Sequence, residues 1–130
     1  TTEIYTLSLH DALPICDLVS HYQQASVLAL PAMWEPSAGS MMEALSCGTP
    51  VVAAAHGGLP EYLNPAISVT FDPQSDGEEI SNIEGLTQAL RAGLRLSRQP
   101  GIRQRCRTHA ALYAMDNVGI HFEDLYASLQ

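Results

Sequence analysis

The stretch WEPSAGSMMEALSCGTP, residues 34–50, lies between two apolar runs, VLALP at 27–31 and VVAAA at 51–55. Pro36 and Gly39 mark a loop, the residues after Gly39 form helix, and Gly48 supplies a stop. The reading is therefore strand, loop, helix, strand. Two acids sit on this unit: Glu35 where the first strand ends, and Glu43 in what the spacing predicts to be the first helical turn. In a parallel α/β sheet, such a unit puts a helix N-terminus at the carboxyl edge of a strand, where phosphorylated ligands bind.

Working outward, Asp17–Gln24 reads as a short helix with Asp17 as N-cap and Leu18 and Tyr22 on one face. Ser26–Leu30 is a continuous apolar run, expected to be buried on both faces, and Val51–Ala55 is a second strand of the same kind. His56-Gly57-Gly58 turns into a one-turn helix. The paired glycines make either a tight turn or a place where a ligand or neighbouring chain comes close. Ile67–Phe71 is a third strand, followed by an acidic, exposed segment over 74–79. Ser81 and Glu84 have capping-box spacing ahead of a helix with Leu86, Leu90 and Leu94 as its stripe. After Gln99-Pro100-Gly101, Ile102, Cys106 and Tyr113 define a further helix, with Arg103, Arg105 and Arg107 on its solvated side. Asp116 is the expected cap of a last helix with the stripe Val118, Phe122, Leu125 and Leu129. Alternating strands and helices predict an α/β fold: about three parallel strands, flanking helices and a helical C-terminus. Three strands leave an edge that calls for more, as in the second half of a larger Rossmann-like domain.

Charge narrows the function. The 130 residues carry 14 Asp and Glu against 6 Arg and Lys, a net charge of −8. There is no Lys, and every Arg lies between Arg91 and Arg107. A nucleic-acid surface needs a basic stripe, so that class is not expected. Any phosphate near residues 34–50 must be held by backbone N–H groups or by cations from outside this chain. The 3 cysteines show no C-x-x-C spacing, which argues against a disulfide framework or zinc site and for a reducing, cytoplasmic setting. No apolar run reaches the length of a membrane span.

Residues 1–15, TTEIYTLSLHDALPI, are unlike the rest of the chain. They resemble, residue for residue, the translation of a common sequencing-library adapter, whose final lone thymine makes Cys16 the junction codon. On that reading residues 1–16 are a non-native segment and 17–130 are the domain, a piece of a longer protein. The alternative is a genuine strand around Ile4–Leu7.

The two glutamates admit two accounts. A carboxylate accepts hydrogen bonds from vicinal hydroxyls, so a pair beside a helix N-terminus suits a sugar or ribose. The amides of Gly39, Ser40 and Met41 suit a phosphate. Equally, Ser40 and Glu43 have capping-box spacing, and Glu35 can be a plain loop acid.

The runs LPAMWEP (30–36), MEALSCGTPVVA (42–53) and GGLPE (57–61) resemble the C-terminal domain of family-four retaining glycosyltransferases of GT-B fold. The likeness extends loosely from Asp17 to Gln130. It implies transfer of a hexose from a nucleotide-sugar to an acceptor with retention, by a front-face reaction assisted by the leaving phosphate, and without a metal or other cofactor. Glu43 is then the residue on the ribose hydroxyls and Glu35 the one near the donor hexose and reacting carbon. The amides of Gly39, Ser40 and Met41 hold the diphosphate, and Gly57 and Gly58 shape the pocket. Two departures stand out. The glycine falls four residues after Glu35 rather than three. The family's diphosphate-neutralising Arg and Lys lie upstream of the signature, whereas nothing basic precedes Arg91 here. The partners implied are a nucleotide-sugar, an acceptor and an N-terminal domain of the same protein, without which the chain is expected not to turn over. Two other readings share this fold: a non-catalytic nucleotide-sugar-binding module, and a nucleotide-sugar epimerase.

Overall fold

Every residue of the second strand is buried, and the reason is positional. In a computed structural model describing residues 14–32, 35–74 and 81–129, three parallel strands form one sheet in the order β1-β2-β3. They are β1 (Leu28–Leu30), β2 (Val51–Ala54) and β3 (Ser68–Phe71). Leu28 pairs with Val51, and Val51 with Ser68. The possible strand at Ile4–Leu7, Met33 and Trp34 of the signature, and the acidic residues 75–79 lie outside the described residues.

Successive residues of β2 face opposite sides, so one strand seeds two cores. Val51 and Ala53 pack with Met41, Leu45, Leu59, Ile67, Ile102 and Cys106. Val52 and Ala54 pack with Phe71 and Ala89. The first layer is built by α2 (Gly39–Cys47) and α5 (Ile102–Ala111), the second by α4 (Ile83–Leu96). The remaining helices are α1 (Ile15–Gln24), α3 (Leu59–Tyr62) and α6 (Met115–Ser128), which completes the expected order of elements. No helix among the described residues is long and apolar enough to cross a membrane.

Several local expectations are corrected. The first strand is shorter than Ser26–Leu30 and is not buried on both faces: Ala29 is exposed. Among the described residues it pairs with β2 alone, and α4 packs over β2 and β3 instead. The cap of α4 is Asn82, not Ser81; its Oδ1 accepts the Gly85 N–H at 2.8 Å, while its Nδ2 donates to the Asp72 carbonyl at 2.8 Å. One side chain thus satisfies a free helix amide and ties α4 to the end of β3. The buried face of α4 is Ala89, Gly93 and Leu96; Leu86 and Leu90 are half-buried, and Leu94 is exposed. Helix and strand meet so closely at Gly93 that a Cβ there would lie 2.3 Å from Val52 Cγ2.

On α5, Ile102 and Cys106 are buried as expected, whereas Tyr113 lies beyond the helix end with its ring 5.4 Å from that of Tyr62. Arg105 leaves the solvated face: its guanidinium donates to the Ala66 and Pro100 carbonyls and to Gln99 Oε1, at 3.1, 2.9 and 3.0 Å. Carbonyls at loop ends need such a donor, and the planar fork supplies several at once. The last helix is capped at Ala114 without a side-chain bond, with Asp116 inside its first turn. Its expected stripe is present in sequence, yet no residue of α6 is buried.

Candidate functional site

Parallel strands end on the same side, so their carboxyl edge gathers the segments that leave β1, β2 and β3. Residues 31–38 leave β1 and carry Glu35, which is half-buried. The glycine pair after β2 holds this segment. The Gly58 N–H donates to the Glu35 carbonyl at 3.1 Å. A Cβ on Gly57, whose φ is +64°, would lie 2.7 Å from Glu35 O, and one on Gly58 would lie 1.9 Å from Pro36 O. The pair therefore makes both the turn and the close approach: it lets two backbones touch, and that contact sets where Glu35 stands.

Gly39 and Ser40 open α2, at positions whose amides have no partner within a helix. A Cβ on Gly39 would meet nothing within 4 Å, so the space above the helix start is open. Met41 differs. Its N–H donates to the Ala38 carbonyl at 3.0 Å and its side chain is 1% exposed. It anchors the helix start in the core, leaving Gly39 and Ser40 as the outward amides.

Glu43 is the fifth residue of α2 and so stands in the second turn, not the first. The capping-box account also fails: the N-cap is Ala38, with no side-chain cap bond, and Ser40 is already helical. Glu43 is exposed, and its Oε2 accepts the Tyr22 hydroxyl at 3.0 Å. Burial first, then the hydrogen bond and charge of Glu43, push the Tyr22 phenol up to about 12. In the sequence Tyr22 reads as an apolar partner of Leu18, and its hydroxyl, 21 residues from Glu43, carries no signal of this contact.

Tyr22 is itself anchored. The buried Thr49 hydroxyl donates to its carbonyl. Gly48, at φ +89°, ends α2, its N–H on the Leu45 carbonyl at 2.9 Å, and the Thr49 N–H reaches Ala44 O at 2.8 Å. Tyr22 and Glu43 line a cleft of about 420 Å³ between α1 and α2, walled by Leu18, Val19, Met42 and Cys47. No group of three or more His, Cys, Asp or Glu among the described residues is arranged to hold a metal ion. The segment leaving β1 offers the Glu35 carboxylate and the start of α2 the Gly39 and Ser40 amides, while Glu43 lies further along α2 beside an apolar cleft that those three residues do not line. That combination suits a ligand bearing hydroxyls and an anion.

Comparison with known proteins identifies the family and the fold. Residues 9–98 match the family described as "Glycosyl transferases group 1". The chain is 32% identical, over 110 residues, to a D-inositol 3-phosphate glycosyltransferase of Saccharomonospora viridis, an alignment covering 85% of this chain and 24% of that protein. It is 35% identical over 104 residues to the Mycobacterium leprae protein of the same name, covering 78% and 23%. The chain thus spans about a quarter of the length of these relatives. Among solved structures, sucrose-phosphate synthase from Thermosynechococcus elongatus superposes with a TM-score of 0.66 at 27% identity, covering 87% of this chain and 27% of that one. The catalytic domain of starch synthase IV from Arabidopsis thaliana shares the fold at a TM-score of 0.57 and 19% identity, covering 85% and 24%.

Proposed function

The chain belongs to the glycosyl transferases group 1 family, and from that premise we propose that it supplies the donor-binding side of a hexose transfer from a nucleotide-sugar, with retention. The observation that carries this reading is the opening of α2 at the carboxyl edge of β1, with Glu35 before it and Glu43 along it. Glu43 accepts hydrogen bonds from the ribose hydroxyls, a role suited to an exposed carboxylate already fixed on one oxygen. The diphosphate lies over the Gly39 and Ser40 amides, where the helix dipole favours negative charge and the space is open. Glu35 then borders the hexose at the anomeric carbon. As the bond to the diphosphate breaks, negative charge grows on the leaving oxygen, and amides in place beforehand stabilise it without reorganisation. The acceptor and its binding surface belong to the rest of the protein.

The test is saturation-transfer NMR of the chain with UDP, GDP and ADP and their glucose conjugates. The reading expects one base to be preferred, with strongest saturation on the ribose protons and loss of that signal in Glu43→Ala. Absence of saturation from all six ligands would overturn it.

A further inference from the structure

Glu43 carries its proposed role on a flexible, exposed side chain, and an exposed glutamate samples several rotamers. Here it does not stand alone. The Tyr22 hydroxyl donates to Glu43 Oε2, the Thr49 hydroxyl donates to the Tyr22 carbonyl, and the Thr49 N–H donates to the carbonyl of Ala44, next to Glu43. The three bonds close a ring through α1, α2 and the start of β2. Its anchor is rigid, since Thr49 is fully buried at the entrance to the central strand. We infer that Tyr22 is a positioning residue: it holds one oxygen of Glu43 so that the other faces the hydroxyls of the bound nucleotide.

The inference rests on the reading of Glu43 as the ribose acceptor, and it makes a distinct claim. A phenol suits the task because it is a donor with few rotatable bonds, and this one stays protonated far above neutral pH. It also explains a threonine between Gly48 and Pro50: a hydroxyl there reaches α1, which an apolar residue of the same size cannot do. Loss of the phenol leaves Glu43 in place but free to wander, so hydroxyl recognition weakens while the fold remains.

The decisive experiment is a double-mutant cycle on the chain with Tyr22→Phe, Glu43→Gln and the pair. The readout is the ratio of dissociation constants for the 2′,3′-dideoxynucleotide and the ribonucleotide, measured for UDP, GDP and ADP by saturation-transfer titration. That ratio isolates the hydroxyls and is insensitive to a uniform change in stability. Glu43→Gln should reduce the ratio about tenfold and Tyr22→Phe about threefold to fivefold, the size expected of a charge-assisted hydrogen bond and of its orientation. In the pair, Tyr22→Phe should add nothing further. A ratio unchanged by Tyr22→Phe, alongside a collapse in Glu43→Gln, would overturn the Tyr22 inference alone. A ratio near one in the unmutated chain would overturn both it and the reading of Glu43. Because Tyr22→Phe keeps the ring, thermal unfolding should show it folded; the retained dependence on Glu43 would confirm that any lost ratio is orientation.

Discussion

Gly58→Ala tests how the site is held. The φ of Gly58 is −83°, which alanine adopts freely, so the cost lies in contact rather than in backbone conformation. The new Cβ would sit 1.9 Å from Pro36 O, against a lower limit near 3.0 Å for real Cβ contacts, so the two backbones must part by about 1.1 Å. That movement also stretches the 3.1 Å bond from the Gly58 N–H to Glu35 O. A lost backbone hydrogen bond costs about 1 kcal/mol, and forced displacement in a packed region about 1–2 kcal/mol more, so a destabilisation of about 2–3 kcal/mol is expected. The same shift carries Glu35 about 1 Å away, and misplacement on that scale costs about 100-fold in a reacting geometry. The assay is urea unfolding paired with titration of nucleotide and nucleotide-sugar. Affinity for the nucleotide should survive, because Glu43 is held separately by Tyr22, while the increment contributed by the sugar should vanish. A Gly58→Ala protein as stable as its parent, with that increment intact, would refute the claim that the glycine pair positions Glu35.

Gly39→Ala is the matched opposite: with open space around it, the substitution should leave stability unchanged or raise it by up to about 1 kcal/mol, yet weaken diphosphate binding in the same titration. Glu43→Ala should change unfolding free energy by less than about 1 kcal/mol, since Glu43 is exposed, caps nothing and makes its hydrogen bond to Tyr22 at the surface, while nucleotide affinity falls; the reverse pattern would return it to a structural role. Gly93→Ala should destabilise by about 1–3 kcal/mol in urea without altering the ratio of affinities for different nucleotides, because its clash is with Val52 in the core. Burial pushes the Cys106 thiol from 9.0 up to about 11. Between those values the unfolded chain has lost this proton and the folded one keeps it, so stability falls as pH rises across that window; Cys106→Ala should flatten that part of the pH–stability curve.

The fold was legible because its signals are local. Apolar runs bounded by Pro31 and Pro50 and a stop at Gly48 needed only chain neighbours to interpret and located β1, α2 and β2, while the run at Ile67–Phe71 located β3 and the later apolar stripes gave the helix order. Burial was less legible because it depends on what lies opposite. Ala29 belongs to an apolar run yet sits in an edge strand, and the α6 stripe has helical period with nothing buried beneath it. The Gly39 and Ser40 amides were inferred from helix register alone. The register of Glu43 missed by a turn because α2 starts at Gly39 without a side-chain cap to announce it. Tyr22, Thr49 and Arg105 escaped because their meaning rests on hydrogen bonds to partners more than 20 residues away, except for the bonds Arg105 makes within its own turn. Periodicity reports which face a residue is on, and does not report which carbonyl it reaches.

The strand order also governs how the fold is reached in time. Among the described residues each strand pairs with the next one in the chain, and no later segment is threaded between two earlier ones. Leu30 and Val51 bracket the first crossover and Ala54 and Ser68 the second, so each closure joins nearby residues and its entropic cost grows only with the logarithm of length. The bonds that tie Thr49 to Tyr22 and Tyr22 to Glu43 span 27 and 21 residues, within the same stretch as the first crossover. Burial of β2 on both faces needs α4 and α5 as well, so the local closures around Glu43 become stable only when both layers are in place.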